Sequence, residues 1–246
     1  MPESVVLLHG FSGTHHAFDG VISSLDRERY RPLALDLPGH GALHAQRPID
    51  FDSCVASVLD RAPASFALCG YSMGGRIALH VALAAPDRVT RLALVSSSAG
   101  IEDAAERARR READDELARS LEREPLEAFI ERWRTQPLFA GDPPGVDALA
   151  RADQRRNRTD ALAAVLRGVG TGQMQPLWAR LGELTMPVVA VAGERDQRYA
   201  AIAARIAALA PDGRVEIVAG GHNLLLENPD GVAAALSARD RASDRG

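Results

Sequence analysis

Short apolar runs alternate along the chain with segments whose apolar residues recur at helical spacing. Several runs end in a Gly-containing loop, as buried parallel strands do. The pattern predicts six strands, at 5–8, 33–37, 65–69, 92–95, 188–192 and 215–218. It predicts helices at 17–25, 51–59, 75–83 and 202–209, and a last helix from 232. We therefore predict an α/β fold whose mostly parallel sheet of about six strands is flanked by helices.

One long segment breaks this alternation. Residues 101–178 contain no strand-like run, are rich in Arg, Glu and Ala, and hold two amphipathic helical patterns at 102–123 and 125–135. We predict an all-helical lid over 101–178, inserted between sheet strands of a core formed by 1–100 and 179–246. The polar residues from Arg239 onward are expected to fray.

Composition excludes several classes of function. The 246 residues suit one domain with one insertion. A net charge of −4 and an aromatic content of 4% disfavour a nucleic-acid partner. Two cysteines make no disulfide framework, and no segment reads as a signal peptide or a membrane span. We expect a cytoplasmic monomer with no membrane insertion and, from the histidine spacings, no metal site.

A G-x-S-x-G pattern at 70–74 joins the third predicted strand to a predicted helix. In this setting the pattern forms a tight turn that exposes the serine hydroxyl. Only small residues fit beside the turn, and the helix that begins there directs its positive end at the serine. The pattern predicts Ser72 as the reactive residue.

A serine hydroxyl needs an imidazole to take its proton and a carboxylate to orient that imidazole. Both follow late predicted strands, in the chain order Ser, Asp, His. Asp196 lies in the loop after the fifth strand, with Glu194 as the rival carboxylate, and His222 lies in the loop after the sixth. We predict Ser72, Asp196 and His222 as the catalytic residues.

An oxyanion hole needs two backbone N–H groups aimed at one oxygen. The residue after the serine, Met73, is one predicted donor. The other is Phe11, in the loop after the first strand. The side chains of His9 and His40 are expected to brace their loops rather than take part in the chemistry.

Together these residues resemble the α/β-hydrolases over nearly the whole chain. The finer pattern is similar to the 2-succinyl-6-hydroxy-2,4-cyclohexadiene-1-carboxylate synthases, lyases of menaquinone (vitamin K2) biosynthesis. The matching stretches are LLHGFSGT (7–14), DLPGHG (36–41), GYSMGGRIAL (70–79), SSSAGI (96–101), EAFIERWRTQPLF (127–139), LRGVGTGQMQPLW (166–178), GERDQRY (193–199) and GGHNLLLENP (220–229). The serine turn and LPGHG are shared widely among α/β-hydrolases, whereas Arg76 and the lid stretches are more specific.

The resemblance implies an activity and a mechanism. Family members eliminate pyruvate from 2-succinyl-5-enolpyruvyl-6-hydroxy-3-cyclohexene-1-carboxylate. Ser72, deprotonated by His222, would remove a ring proton α to the succinyl ketone, and the enolate oxygen would lie in the oxyanion hole. No cofactor is implied.

The implied substrate is a small polycarboxylate, for which arginine is a suitable partner through its planar fork. The resemblance implies a binding role for Tyr71, Arg76 and Trp133. It also places arginines of the lid at the site, at Arg109 or Arg110 and near Arg155 and Arg156. Where family members often carry a second histidine, this chain has Leu225.

Two other functions share the same residues. A hydrolase of esters, thioesters or carbon–carbon bonds would use Ser72 as a true nucleophile, and an apolar pocket without convergent arginines would favour it. A non-catalytic binding protein on this fold is disfavoured by the intact set of catalytic residues and the oxyanion loop. The serine, histidine and aspartate alone do not separate lyase from hydrolase.

Overall fold

Six strands form one sheet in the computed structural model, which describes residues 2–238. They are β1 (Glu3–Leu8), β2 (Tyr30–Leu35), β3 (Phe66–Tyr71), β4 (Val89–Val95), β5 (Val188–Gly193) and β6 (Gly213–Val218). The spatial order is β2-β1-β3-β4-β5-β6, and every neighbouring pair is parallel. The predicted fold class is confirmed. The order reverses between β1 and β3, the position at which open α/β sheets bind their ligands.

Helices connect the strands and cover both faces of the sheet. They are α1 (Asp19–Ser24), α2 (Phe51–Arg61), α3 (Met73–Ala84), α4 (Ala104–Leu121), α5 (Leu126–Arg134), α6 (Pro144–Gln154), α7 (Thr159–Val169), α8 (Gln197–Leu209), α9 (Leu224–Glu227) and α10 (Pro229–Ser237). None of those within residues 2–238 combines the length and apolarity that crossing a bilayer requires. The fraying predicted from Arg239 onward lies outside the described residues.

The second predicted strand was placed too late along the chain. It was expected at 33–37, whereas β2 ends at Leu35. The chain turns at Asp36 because this carboxylate accepts hydrogen bonds from the backbone N–H groups of His15 and Ala42, at 2.8 and 2.9 Å. Leu37 is buried but leaves the sheet, and its N–H donates to His9 Nε2. An apolar pattern alone does not separate a buried strand from the buried residue that follows it.

The core lies on both sides of the sheet because β3 and β5 are buried along their whole length. One cluster packs α2, α3 and α8 against one face, and a second packs α1 and α10 against the other. Leu225, which stands where a second histidine is common in the resembled family, is 1% exposed within the second cluster. It contributes to packing and does not line the site described below.

Between β4 and β5 the described chain forms only helices and turns. The predicted helices at 102–123 and 125–135 correspond to α4 and α5, and two more, α6 and α7, follow. These helices have an apolar cluster of their own, centred on Leu121, Phe129, Ile130 and Leu162. The segment therefore carries a small core in addition to the sheet's core.

Candidate active site

Ser72 lies at the junction of β3 and α3, in a backbone conformation that non-glycine residues rarely adopt, with φ 51° and ψ −110°. The turn closes because Gly70 and Gly74 bring backbone segments into contact. A Cβ at Gly74 would collide with the carbonyl of Leu8, and one at Gly70 would collide with Gly74 itself. The Ser72 N–H donates to the Val95 carbonyl at 2.9 Å. The strained serine is thereby held at the carboxyl end of the sheet.

The structure brings together the three residues predicted to be catalytic. His222 Nδ1 lies 2.8 Å from Asp196 Oδ2, and His222 Nε2 lies 3.4 Å from Ser72 Oγ. A carboxylate accepts only from a protonated nitrogen, so Nδ1 carries the proton and Nε2 faces the serine as an acceptor. His222 is 2% exposed, whereas the rival Glu194 is exposed to solvent. The structure therefore places Asp196, not Glu194, against the histidine.

The loop after β1 and the first residue of α3 surround the serine. Phe11 and Met73 both line the cavity beside Ser72. Neither of their N–H groups donates a hydrogen bond within residues 2–238. The Gly10 carbonyl accepts from His9 Nδ1 at 2.8 Å and from the Gly13 N–H at 3.2 Å. Because carbonyl and N–H point in opposite directions across a trans peptide, these two bonds fix the direction of the Phe11 N–H.

Two buried histidines brace this loop, as predicted from the sequence. His9 Nε2 accepts from the Leu37 N–H at 3.0 Å, and His40 Nε2 accepts from the Ser12 N–H at 3.3 Å. Burial lowers the pKa of His9 and holds the pKa of His40 well below its usual range. Both rings are therefore neutral at pH 7, as their acceptor role requires.

A cavity of about 500 Å³ opens above the serine. Its wall is formed by two parts of the chain. The loops and helices around the sheet contribute Phe11, Ser72, Met73, Arg76, Asp196, Tyr199 and His222, and the helical segment between β4 and β5 contributes Arg110, Trp133, Gln136, Asp142, Leu166 and Thr171. A cavity of this size accommodates a small organic substrate.

Two of the arginines predicted to bind substrate line this cavity. Arg76, one helical turn after Ser72, is 7% exposed, and its hydrogen bond within the described chain runs from Nη1 to the Val169 carbonyl at 2.9 Å. Burial lowers its pKa to about 10, so it remains charged at neutral pH. Arg110 also lines the cavity, and Asp114 Oδ1 accepts from its Nε at 2.8 Å. The cavity wall therefore carries two arginines, one from α3 and one from α4.

Trp133 and its aromatic neighbours form the apolar wall. Its ring centroid lies 5.1 Å from that of Phe11 in an edge-to-face contact and 5.6 Å from that of Phe129 in a stacked one. Phe139 extends this group to His222, with ring centroids 6.2 Å apart. These rings shield the histidine and the oxyanion loop from solvent.

Other predicted binding residues do not reach the main cavity. Arg109 is exposed on the outer side of α4 and is not part of the wall. Arg155 and Arg156 are exposed beyond the end of α6, where Arg155 pairs with Glu127 at 2.8 Å. Tyr71 is buried behind the serine and lines a separate small cavity of about 50 Å³. The run of charges in this lid gave no indication of which arginines face inward.

Several residues of the wall were not predicted. Arg195, Arg198 and Tyr199 come from the loop after β5 and the start of α8. Arg195 pairs with Glu227, whereas Arg198 has no ion-pair partner within residues 2–238. The sequence did indicate this segment, because all three residues belong to the stretch GERDQRY that also contains Asp196.

A buried ion pair joins the lid to the histidine loop. Arg134 contacts Asp142 at 2.5 Å and Asp147 at 2.7 Å. The side chains of Arg134 and Asp142 are only 2% and 3% exposed. Asp142 also accepts from Asn223 Nδ2 at 3.1 Å, one residue after His222. The turn between α5 and α6 is thereby fixed over the site. Sequence spacing gave no sign of this cluster.

No group of three or more His, Cys, Asp or Glu side chains in residues 2–238 is arranged to hold a metal ion. Ser72, His222 and Asp196 instead have the geometry of a proton-transfer relay. The relay can deprotonate a substrate or activate the serine as a nucleophile, and the unpaired N–H groups can stabilise an oxyanion.

Comparison with known proteins agrees with this arrangement. Residues 5–235 match the model of the alpha/beta hydrolase family. The 2-succinyl-6-hydroxy-2,4-cyclohexadiene-1-carboxylate synthase of Enterobacter sp. (strain 638) is 36% identical over 238 residues, which cover 95% of this chain and 90% of that protein. The enzyme of the same name from Escherichia coli O1:K1 / APEC is 34% identical, with 95% and 92% coverage.

Solved structures give the same relationship. The structure of MenH from S. aureus has a TM-score of 0.87 and 32% identity, covering 94% of this chain and 91% of that one. The enol-lactonase from Burkholderia xenovorans LB400, at 20% identity and a TM-score of 0.79, shares the fold. This chain belongs to the alpha/beta hydrolase family and, within it, to the family of the 2-succinyl-6-hydroxy-2,4-cyclohexadiene-1-carboxylate synthases.

Proposed function

We propose that this protein is the lyase that eliminates pyruvate from 2-succinyl-5-enolpyruvyl-6-hydroxy-3-cyclohexene-1-carboxylate, in menaquinone biosynthesis. One observation carries the proposal beyond family membership. The relay of Ser72, His222 and Asp196 opens into a cavity that also holds Arg76, Arg110 and Trp133. A hydrolase of apolar esters has no need of several arginines in its cavity, whereas an enzyme whose substrate carries three carboxylates does.

The relay acts as a base in this reaction. His222 Nε2 takes the proton of the Ser72 hydroxyl, and the serine oxygen takes the ring proton α to the succinyl ketone. The electron pair of that C–H bond forms the enolate, returns through the ring and breaks the C–O bond to the enolpyruvyl group. Pyruvate enolate leaves and takes up a proton to become pyruvate. No bond forms between Ser72 and the substrate.

The enolate oxygen is stabilised by the N–H groups of Phe11 and Met73. The bonds that hold the Gly10 carbonyl constrain the direction of the Phe11 N–H. Met73 begins α3, so the positive end of that helix adds to the stabilisation. Since these donors are preorganised, they need no rearrangement as the charge develops.

The carboxylates of the substrate have four arginines in reach of the cavity: Arg76, Arg110, Arg195 and Arg198. Arg76 is the best placed, because it lies one turn from Ser72 and its burial strengthens a charge-assisted hydrogen bond. Trp133 packs along the ring of the substrate. The small cavity beside Tyr71 lies next to Phe11 and Trp133, so we assign its hydroxyl to a secondary contact at most.

We propose that residues 101–178 are the lid of this site and that the described residues before and after it, 2–100 and 179–238, form the catalytic core. The lid supplies Arg110 and Trp133, and the core supplies the relay. We propose that the enzyme works as a cytoplasmic monomer without a cofactor and with a small molecule as its partner. Cys54 and Cys69 are both free and buried, which suits a reducing compartment.

Pyruvate release from freshly generated precursor tests the proposal. Wild-type protein is expected to release pyruvate, followed with a coupled assay, and Ser72→Ala should lower the rate by at least about a thousandfold because the proton relay loses its base. Ser65→Ala, an exposed serine outside the cavity, is the matched control and should keep the full rate. No pyruvate release, together with turnover of a nitrophenyl ester, would show instead a serine hydrolase.

A further inference from the structure

Ser12, the residue after the Phe11 donor, forms hydrogen bonds through its N–H, its carbonyl and its hydroxyl. Its backbone has φ 61°, in the left-handed region, and the residue is 1% exposed. Its N–H donates to His40 at 3.3 Å, its carbonyl accepts from Asn157 Nδ2 at 2.8 Å, and its hydroxyl accepts from Gln154 Nε2 at 2.9 Å. A serine relaxes out of this conformation unless its surroundings hold it there.

Thr14, two residues further along the same loop, is held by a carboxylate of the lid. Its N–H donates to Asp153 Oδ2 at 2.8 Å, and its hydroxyl donates to Asp153 Oδ1. Both residues are buried. The loop is thus fixed at Ser12 and at Thr14, on the side of Phe11 away from β1.

Three lid side chains make these contacts, all from one short segment. Asp153 and Gln154 end α6, and Asn157 follows in the next turn. Asn157 also accepts from the Gly41 N–H at 3.1 Å, so it joins the oxyanion loop to the LPGHG turn. Between them, the exposed Arg155 pairs with Glu127 at 2.8 Å, whereas the exposed Arg156 lies 3.8 Å from Oδ1 of Asp153 itself.

We propose that Asp153, Gln154 and Asn157 are positioning residues that set the oxyanion hole from the lid. They hold Ser12 and Thr14, and through these residues they hold the Phe11 N–H at the place where the negative charge develops. The inference rests on the proposed function for the identity of that charge. It adds that the lid, besides covering the substrate, completes the electrostatic part of the catalytic machinery.

The role makes a specific kinetic prediction. The three side chains are absent from the wall of the main cavity, which holds the four arginines, and Asp153 and Gln154 line only the small cavity beside Tyr71. Loosening the loop should therefore leave KM within about twofold and lower kcat on the order of tenfold, as small misplacements of catalytic groups do.

Gln154→Met is the sharpest variant because methionine nearly keeps the volume. Gln154 Oε1 has no partner among the described residues, so the hydrogen bond to Ser12 is the one that is lost. Ser12→Ala removes the same bond from the other side. The two single variants should lower kcat alike, and the double variant should be no slower than either, since one bond cannot be lost twice.

Arg155→Met is the matched control, one residue away and paired only with exposed Glu127. It should keep the wild-type kcat. A Gln154→Met protein that melts like wild type and keeps the wild-type kcat overturns the proposal, as does an equal loss in Arg155→Met. Asn157→Ala, which loses bonds to both loops, is expected to show the larger effect. If Asn157→Ala does not fold, the comparison of the Gln154→Met and Ser12→Ala variants still tests the positioning role.

A second measurement separates this inference from the proposed function. A sulfonyl fluoride modifies the serine directly: the Ser72 oxygen bonds to sulfur, the S–F bond breaks, fluoride leaves, and His222 takes the proton. The sulfonyl oxygens use the same N–H donors, so Gln154→Met should slow inactivation on the order of tenfold whatever the natural substrate. Equal inactivation rates would reject the positioning role even in an enzyme that releases no pyruvate.

Discussion

At the scale of single residues, the position of Arg76 has a measurable consequence. Lysine in its place keeps a charge but loses the planar fork that binds a carboxylate through two bonds. Arg76→Lys should lower kcat/KM about tenfold to a hundredfold, mostly through KM, which corresponds to a charged hydrogen bond of about 1.5–3 kcal/mol. Steady-state kinetics of pyruvate release measures the split. Arg109→Lys, on the outer side of α4, is the control, and an equal loss there would argue against a binding role for Arg76.

The residues that sequence located best are those whose chemistry is tied to a local turn. Ser72 follows from its glycine neighbours, and His222 from its place after a late strand. The sequence favoured Asp196 over Glu194, and the path of the loop after β5 brings Asp196 to the imidazole. Asp153 and Gln154 were missed for a related reason. A polar residue at a helix end looks solvent-exposed in sequence, and its partner is more than a hundred residues away.

At the scale of elements, α5 carries two arginines that should contribute differently to the free energy of unfolding. Arg134 and Asp142 are buried together, so removing the arginine leaves an uncompensated carboxylate. Arg134→Met should lower the free energy of unfolding by about 3–5 kcal/mol. Arg132→Met breaks a pair with Glu124 at a more exposed site on the same helix and should cost about 1 kcal/mol or less. Urea unfolding measures both, and similar losses would mean that the buried pair is not special.

The lid helices also show where sequence patterns stop being informative. Within α4 the buried positions are Asp114, Ala118 and Leu121, which do not form an apolar stripe. Arg109, Arg110 and Arg111 are therefore indistinguishable by periodicity, although only Arg110 lines the cavity. The sheet is different: strands buried on both faces, such as β3 and β5, are continuous apolar runs, and these were located closely, whereas the less buried β2 was placed too late. Helices held by ion pairs and by loops distant in sequence carry no such signal.

At the scale of the whole molecule, the site forms where three parts of the chain meet. The reversal of strand order places the loops after β1 and β3 side by side, which brings Phe11 to Ser72. The late loops after β5 and β6 add Asp196 and His222. The helical segment between β4 and β5 adds Arg110 and Trp133 to the cavity wall, and Asp153, Gln154 and Asn157 form hydrogen bonds with the loop after β1. This arrangement requires two buried histidines to stay neutral, because His9 and His40 hold loops that lie under the helical segment.

Those histidines should make the fold sensitive to mild acid. Burial lowers the pKa of His9, His40 and His80, the last to about 4. Below pH 6.5 these histidines become protonated in the unfolded chain but stay neutral in the folded chain. Lowering the pH therefore favours unfolding. Stability should be complete above about pH 6.5 and fall as the pH drops towards 4, by up to about 1.4 kcal/mol per pH unit for each histidine. Urea unfolding at half-unit steps of pH measures this slope.

The variant His80→Gln should reduce the slope by the contribution of one histidine, because a glutamine side chain takes up no proton. A slope that is flat from pH 6.5 to 4 in the wild type would mean that the buried rings bind protons as readily as free histidine, and the acceptor role of His9 and His40 in bracing the oxyanion loop would fall with it.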